Sequence, residues 1–169
     1  MLEEQKSLHQ IIDFRKRKLS TLIENGVNPF PYKFKITHKS RNVLENFKSL
    51  ENKSIKIAGR IMALRKMGKA SFFQLMDSDG KIQIFIKKDN VGEIVYDNFK
   101  LLDIGDYIGI KGYVFKTKTE EISINTEEMT ILAKSIRPLP IVKEKDGKKF
   151  DSFSNKEQRY RNRHIDLIL

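Results

Sequence analysis

Cysteine and long apolar runs are both missing from the 169-residue sequence. The absence of thiols excludes disulfide bonds, thiolate zinc sites and cysteine nucleophiles, and it points to a reducing compartment. No apolar stretch approaches the ~20 residues that a membrane-spanning helix needs. The first residues, MLEEQKSLHQ, are too acidic and polar for a secretory signal peptide. We therefore expect a cytoplasmic protein.

Motifs for catalysis are missing as well. The sequence has no phosphate-binding loop, no zinc-ligand cluster and no nucleophile motif. Its three histidines, His9, His38 and His164, are scattered, and each is better explained as a surface or packing residue. No two carboxylates are placed as an acid–base pair. We therefore predict no catalytic residue, no metal ligand and no cofactor site in these residues, and we expect a binding function.

Positive charge dominates the composition. The formal net charge is +11, the pI is about 9.7 and a third of the residues are charged. Such a surface favours a polyanionic partner, with nucleic acid first and an acidic membrane second. A basic surface that only keeps the protein soluble is the alternative.

The first 50 residues are predicted to form a helical extension. Apolar residues recur at helical spacing from about Ser7 to Asn25, with Ser7 as the N-cap and Gly26 as the C-terminal stop. A second short helix is predicted from Ser40. Four consecutive basic residues of the first helix, Arg15, Lys16, Arg17 and Lys18, cannot all face a core. We expect most of them to add non-specific affinity for RNA phosphates, although a solvated helix face is an equal alternative.

Residues 51–134 show five short strands. Alternating apolar residues predict a first strand from about Ser54, with Arg65 at its end, and further strands over the ranges 70–76, 81–87, 107–115 and 121–132. A helix is predicted over 91–101, and its buried stripe is predicted to be Val91, Ile94, Val95, Phe99 and Leu102. This order, with glycines inside two strands, is typical of the five-stranded oligonucleotide/oligosaccharide-binding (OB) barrel, mainly β with flanking helices. A five-stranded sheet without closure is the alternative. Residues 135–169, which begin with a proline-containing stretch, are predicted to be a linker and the start of a further domain.

The predicted binding face lies on the second and third strands. Because side chains alternate along a strand, Phe73 should pack in the core while Phe72 points outward, and Gln83 should share the outer face of the third strand. An exposed ring can stack on a base, an amide can read a base edge, and cations can hold phosphates. We therefore predict an RNA-binding site at Phe72, Gln83 and Arg65, with Lys66 and Lys69 supplying charge. The alternative is that Phe72 is a second core residue.

Several separated motifs carry a resemblance to a known family. The blocks GR…RKMGKASF (residues 59–72) and D…GKIQ (residues 77–83) resemble the anticodon-binding domain of class II aminoacyl-tRNA synthetases for lysine, asparagine and aspartate. The later stretches RKRKLSTLIENGVNPFPYKF, LDIGD, FKTKT, EISI, RPLP and RYR narrow the resemblance to lysyl-tRNA synthetases. The motifs occur in the family's order along almost the whole chain, which therefore resembles the N-terminal anticodon-binding domain of that family.

The resemblance implies a role for each matching residue. Phe72 would stack on the central anticodon uridine, and Gln83 and Arg65 would contact that base. Glu121 would lie near the third anticodon position. The sequence departs from the family pattern at Glu120, where glycine is common, and at Asn162 and His164 in the segment after the linker.

The resemblance also implies the activity of a longer enzyme. Lysyl-tRNA synthetases attach lysine to tRNA with ATP and Mg²⁺, in a catalytic domain whose three signature motifs do not occur in this sequence. We therefore expect the tRNA-reading part of a homodimeric ligase, inactive on its own, with residues 135–169 leading into the missing catalytic domain. Lysine and ATP would be partners of that domain only, and no membrane partner is expected. A freestanding single-strand-binding protein of the same fold and an adaptor that binds a protein stay open as alternatives.

Overall fold

Alternating apolar residues form five strands that close into a barrel. They are β1 (Ser54–Met67), β2 (Ala70–Met76), β3 (Lys81–Lys87), β4 (Tyr107–Lys116) and β5 (Ile122–Ala133). The order around the barrel is β1-β2-β3-β5-β4, in which β3 and β5 are parallel and the other neighbours antiparallel. This topology confirms the predicted OB-fold, and closure excludes the open five-stranded sheet.

The computed structural model describes residues 7–140, 143–145, 148–150, 153 and 155–168. It divides the chain into two compact units, with the division between Arg137 and Pro138. Helix α1 (Leu8–Glu24), the short helices α2 (Ser40–Glu45) and α3 (Phe47–Leu50), and the barrel belong to the first unit. In these described ranges no helix is both long and apolar enough to cross a membrane. The predicted domain boundaries near residues 50 and 134 stay predictions.

One face of each strand fills the barrel. Phe73 and Leu75 of β2 are buried, as are Ile82, Ile84 and Ile86 of β3, so the predicted alternation is confirmed. The same alternation turns Phe72 and Gln83 toward the outer face, where both are half-buried. The strand register that places the site therefore follows from the burial of the apolar face.

Two strand glycines allow neighbouring strands to approach closely. A Cβ atom at Gly59 would lie 2.4 Å from the carbonyl oxygen of Met76, and one at Gly112 would lie 2.1 Å from that of Asn125. Both distances are too short for a carbon–oxygen contact. Glycines inside strands are expected where a small barrel bends sharply, and the structure shows a further reason for Gly59 and Gly112, namely the close approach of a neighbouring strand's backbone.

Helix α1 begins and ends as the sequence predicts. The Ser7 hydroxyl accepts a hydrogen bond from the N–H of Gln10 (3.3 Å), and the side chain of Gln10 accepts one from the N–H of Ser7 (2.8 Å). This reciprocal pair is a capping box. At the other end Gly26 has φ +76°, and the N–H of Val27 donates to the carbonyl of Leu22 (3.0 Å), as in a Schellman motif.

The helix predicted over 91–101 is wrong in its bounds and in one buried residue. The chain instead forms α4 (Lys88–Val91) and α5 (Glu93–Lys100), separated by Gly92 at φ +84°. Ile94, predicted to face the core, is 76% exposed, whereas Tyr96 and Phe99 are buried. The break at Gly92 separates the two helices, so a single stripe read through it misplaces Ile94, whereas Phe99 and Leu102 are buried as predicted.

The second unit, considered by itself, contains short elements. A hairpin pairs β6 (Lys143–Lys145) with β7 (Lys148–Phe150), and two helices follow, α6 (Lys156–Arg161) and α7 (Arg163–Asp166). The side chain of Asn155 caps α6 by accepting a hydrogen bond from the N–H of Glu157 at 2.8 Å. Asn162, one of the departures from the family pattern, is the residue between the two helices.

Candidate functional site

One cavity opens on the outer face of the barrel, where β1, β2 and β3 lie near the turn between β4 and β5. Its volume is about 610 Å³. Four of the predicted site residues, Arg65, Phe72, Gln83 and Glu121, line it together. Lys66 and Lys69 do not line it. The structure therefore brings together the residues predicted to contact a base and leaves the two predicted lysines outside the cavity.

Aromatic rings form one wall of this site. Phe72 of β2 lies opposite Arg65 of β1 and opposite Phe85 of β3 in the strand register. The ring centroids of Phe72 and Phe85 are 4.8 Å apart, and those of Phe85 and Phe115 are 6.1 Å apart. Such pairs stabilise one another beyond the area they bury. Phe72 is thus a supported ring beside open space, which is the arrangement a stacking platform needs.

The cations near the cavity differ in how freely they can meet a ligand. Arg65 is exposed, and the described part of the chain gives it no hydrogen-bond or ion-pair partner. Lys69, also exposed, lies in the turn between β1 and β2. The ammonium of Lys66 instead donates to the carbonyl oxygens of Lys100 (2.7 Å) and Leu102 (3.4 Å). Burial, followed by the positive charge of Lys18, lowers the pKa of Lys66.

The amide of Gln83 is held by two side chains. Its Nε2 donates to the Glu121 carboxylate at 2.6 Å, and its Oε1 accepts a hydrogen bond from the Ser123 hydroxyl at 2.8 Å. Ser123 is fully buried and pairs with Gln83 between β5 and β3. Sequence reasoning missed Ser123 because a lone serine in a strand carries no signal before its neighbour on a distant strand is known.

The turn that carries Glu121 contains a left-handed residue. Glu120 has φ +66°. Its N–H donates to the carbonyl oxygen of Thr117 (2.9 Å), and the N–H of Thr117 donates to the carbonyl oxygen of Glu121 (3.0 Å). This conformation costs a residue other than glycine about 1–2 kcal/mol. The strain gives a physical reason for glycine at this position in the family pattern. Glu120 keeps the turn shape here and forms an ion pair with Lys116.

A buried ionic network joins α1 to the end of β5, and sequence reasoning missed it. The ammonium of Lys134 lies 2.6 Å from the carboxylate of Asp103 and 2.7 Å from that of Asp106, and Lys18 of α1 lies 2.5 Å from Asp103. The guanidinium of Arg15 donates to the carbonyl oxygens of Ser135 (2.8 Å) and Ile104 (3.1 Å). The acidic residues of the LDIGD stretch and the basic run of α1 are the signals that could have suggested it.

This network changes the interpretation of the basic run in α1. Arg15 is buried and Lys18 half-buried in it, so the expectation that most of the four cations are free to meet phosphates is wrong. Lys16 and Arg17 are exposed. Only these two remain available for a polyanion.

Replacing Lys16 and Arg17 together by glutamine is expected to weaken binding to all RNAs alike. Two lost phosphate contacts should reduce the slope of log affinity against log salt by about 1.4, at ~0.7 for each contact to a single strand. Titrations at several salt concentrations measure the slope. A variant with the same charge loss at the exposed residues Lys48 and Lys53 is the control, and an equal slope change in both variants would contradict a specific role for α1.

Comparison with known families identifies the barrel. Residues 55–132 match the model of the tRNA anticodon family, described as an OB-fold nucleic acid binding domain. The match spans the strands of the barrel and the described cavity. These residues therefore form a tRNA anticodon-binding OB-fold domain, as the sequence predicted.

The particular relatives are lysine–tRNA ligases. The chain is 47% identical over 165 residues to the lysine–tRNA ligase of Porphyromonas gingivalis (strain ATCC 33277) and 44% identical over 166 residues to that of Carboxydothermus hydrogenoformans. The matches cover 92% and 98% of this chain but 28% and 33% of the relatives. The chain thus spans about a third or less of these curated relatives, and it corresponds to their anticodon-binding OB-fold region.

Proposed function

We propose that this chain binds the anticodon loop of a lysine-accepting tRNA and that the cavity holds the central anticodon nucleotide. The observation that carries the proposal is the meeting of one supported ring, one exposed guanidinium and an amide–carboxylate pair in a single cavity of about 610 Å³. Stacking on Phe72 would contribute ~1–3 kcal/mol for any base. A charge-assisted hydrogen bond from Arg65 would add ~1.5–3 kcal/mol when well formed.

Uridine suits the polar side of the cavity. Gln83 and Glu121 together present N–H donors and carboxylate acceptors at adjacent positions. Uracil carries carbonyl oxygens beside an N–H, so both partners can be satisfied. This gives Glu121 a contact with the central base, whereas the family resemblance implied a place near the third anticodon position. Cytosine carries an amino group where uracil has a carbonyl and lacks that N–H, so the same pair is mismatched. This supports a uridine-rich anticodon, as lysine tRNAs have.

The activity of the longer protein is a further part of the proposal. Its relatives are named lysine–tRNA ligases, and their similarity covers most of this chain. We infer that the whole protein attaches lysine to tRNA with ATP and Mg²⁺, in a cytoplasmic homodimer, through a catalytic domain outside this chain. No residue of this chain is assigned to ATP or Mg²⁺, and its part is to read the tRNA.

Binding of two RNA hairpins tests the proposal. Both carry a uridine-rich anticodon loop, with uridine in one and cytidine in the other at the central anticodon position. We expect the chain to bind the uridine hairpin at least tenfold more tightly, which corresponds to about 1.4 kcal/mol. Fluorescence anisotropy with end-labelled hairpins measures both affinities. Equal affinities would contradict the reading of the central base.

A sequence-tolerant single-strand binder is the second candidate. The cluster of Phe72, Phe85 and Phe115 favours it, because rings stack on every base. Competition between the uridine hairpin and an unstructured pyrimidine strand separates the two functions. Preference for the hairpin supports the anticodon reader, and equal competition supports the second candidate.

A further inference from the structure

The side-chain amide of Gln83 is fixed from both sides by groups of different chemistry. On one side the Glu121 carboxylate accepts from Nε2, and on the other the Ser123 hydroxyl donates to Oε1. Glu121 is exposed in a turn, whereas Ser123 is fully buried in β5, at the position paired with Gln83. The buried hydroxyl is therefore the rigid half of this arrangement.

The two partners allow only one orientation of the amide. An ionised carboxylate has acceptors and no donor, so the amino group of Gln83 must face Glu121. Its carbonyl oxygen then faces the Ser123 hydroxyl, which lies 2.8 Å from Oε1 and 3.3 Å from a second acceptor, the main-chain carbonyl oxygen of Glu121, so Oε1 is the closer partner. A 180° flip of the side-chain amide would place Oε1 against the Glu121 carboxylate, so that two hydrogen-bond acceptors would be in contact. The network removes the ambiguity that a free glutamine has as a reader of bases.

We propose that Ser123 is a positioning residue for base selection: by anchoring Oε1 of Gln83, it keeps an N–H of the amide directed at the ligand in the cavity. This inference rests on the proposed function. Nε2 has two N–H groups, and Glu121 takes one of them. The remaining N–H, for which the described residues supply no acceptor, selects a nucleobase with a carbonyl oxygen at that edge. Uracil has this oxygen, and cytosine presents an amino group in its place.

Ser123→Ala tests the inference in the full 169-residue chain, with Ser71→Ala as the matched control. Ser71 is also fully buried in the barrel, and its hydroxyl contacts Tyr96 (3.0 Å) instead of Gln83. The measured quantity is the ratio of dissociation constants for the cytidine and uridine hairpins. Without its anchor the Gln83 side chain can move together with the exposed Glu121, so its free N–H is no longer held toward the ligand, and we expect Ser123→Ala to lower this ratio about three- to tenfold. Ser71→Ala should leave the ratio unchanged.

A spectroscopic readout separates positioning from a merely structural effect. In the wild-type protein the two side-chain amide protons of Gln83 lie in different environments, and their NMR chemical shifts should differ clearly. Ser123→Ala should bring the two shifts closer together, and Ser71→Ala should not. Thermal unfolding of each variant confirms that the binding data refer to folded protein.

The outcomes distinguish the inference from the proposed function. If the wild-type protein has nearly equal dissociation constants for the two hairpins, both the positioning role of Ser123 and the proposed function are overturned. A wild-type preference that Ser123→Ala retains overturns the positioning role and leaves the proposed function standing. An equal loss of affinity for both hairpins, with the ratio unchanged, also overturns it. A lowered ratio in Ser123→Ala alone, together with converging Gln83 shifts, supports it.

Discussion

Replacing Lys134 by methionine is expected to lower the free energy of unfolding by about 3–5 kcal/mol. The side chains of Lys134 and Asp106 are both fully buried, with 2.7 Å between the ammonium and the carboxylate. Methionine keeps most of the length but removes the charge. Asp106 then retains only the neutral N–H groups of Ser135 and Asp103 as partners, each at 2.8 Å. A buried carboxylate without a counter-charge destabilises the folded state strongly, and urea-induced unfolding measures the loss.

An exposed ion pair on the same barrel provides the control. Lys111 and Glu128 are 2.6 Å apart, with side chains 34% and 65% exposed. Lys111→Met should cost no more than about 1 kcal/mol, because solvent screens such pairs. Adding Asp106→Asn to Lys134→Met removes the unpaired charge and should recover part of the stability. Similar losses for the two lysine variants would show that burial of the network does not matter.

The pH dependence of the loss identifies the charges involved. Burial acts to raise the pKa of Asp103, but hydrogen bonds from Lys134 and Lys18 outweigh it and hold that pKa below its usual 3.8. A folded-state pKa below the unfolded value means that the carboxylate stabilises the fold above about pH 4. This contribution is lost as the pH falls through the lowered pKa. The difference between wild type and Lys134→Met should therefore be largest near neutral pH and shrink in acid.

The strands could be predicted because alternation is a local property of the sequence. The predicted ranges for β2 and β3 match the structure, and so do the inward Phe73 and the outward Phe72. Closure of the barrel could not be derived from spacing, because it depends on the parallel pairing of β3 with β5, about 40 residues apart. The predicted end of β1 at Arg65 lies close to the observed end at Met67, although the apolar alternation itself fades after Ile61.

The site could be predicted only as far as the faces of single strands determine it. Phe72, Gln83 and Arg65 follow from alternation and from the family resemblance, and the structure places them in one cavity. The hydrogen bonds that hold Gln83 involve β5 and the turn before it, so they depend on register between distant segments. The prediction that most of the basic run of α1 is free for RNA was wrong for the same reason, because the partners of Arg15 lie about 90 and 120 residues further along the chain.

Replacing Phe72 by alanine should weaken RNA binding strongly and to the same extent for every base at the central position. The ring lines the open space and is supported by Phe85 at 4.8 Å between centroids. Loss of stacking should cost ~1–3 kcal/mol. That corresponds to a decrease in affinity of about 5- to 150-fold. Because a ring stacks on any base, the loss should be the same for the uridine and cytidine hairpins, which distinguishes Phe72 from Gln83.

Two further variants establish that the loss comes from the ring in the cavity. Phe30→Ala removes a ring that is 53% exposed and lies outside the cavity, so it should bind both hairpins like the wild type. Phe72→Leu keeps apolar bulk beside Phe85 but offers no aromatic face, and it should fold like the wild type while still losing most of the stacking contribution. Circular dichroism checks the folding of each variant. A folded Phe72→Ala variant that binds with wild-type affinity would remove Phe72 from the site, because a base that does not touch this ring cannot be stacked in the cavity as proposed.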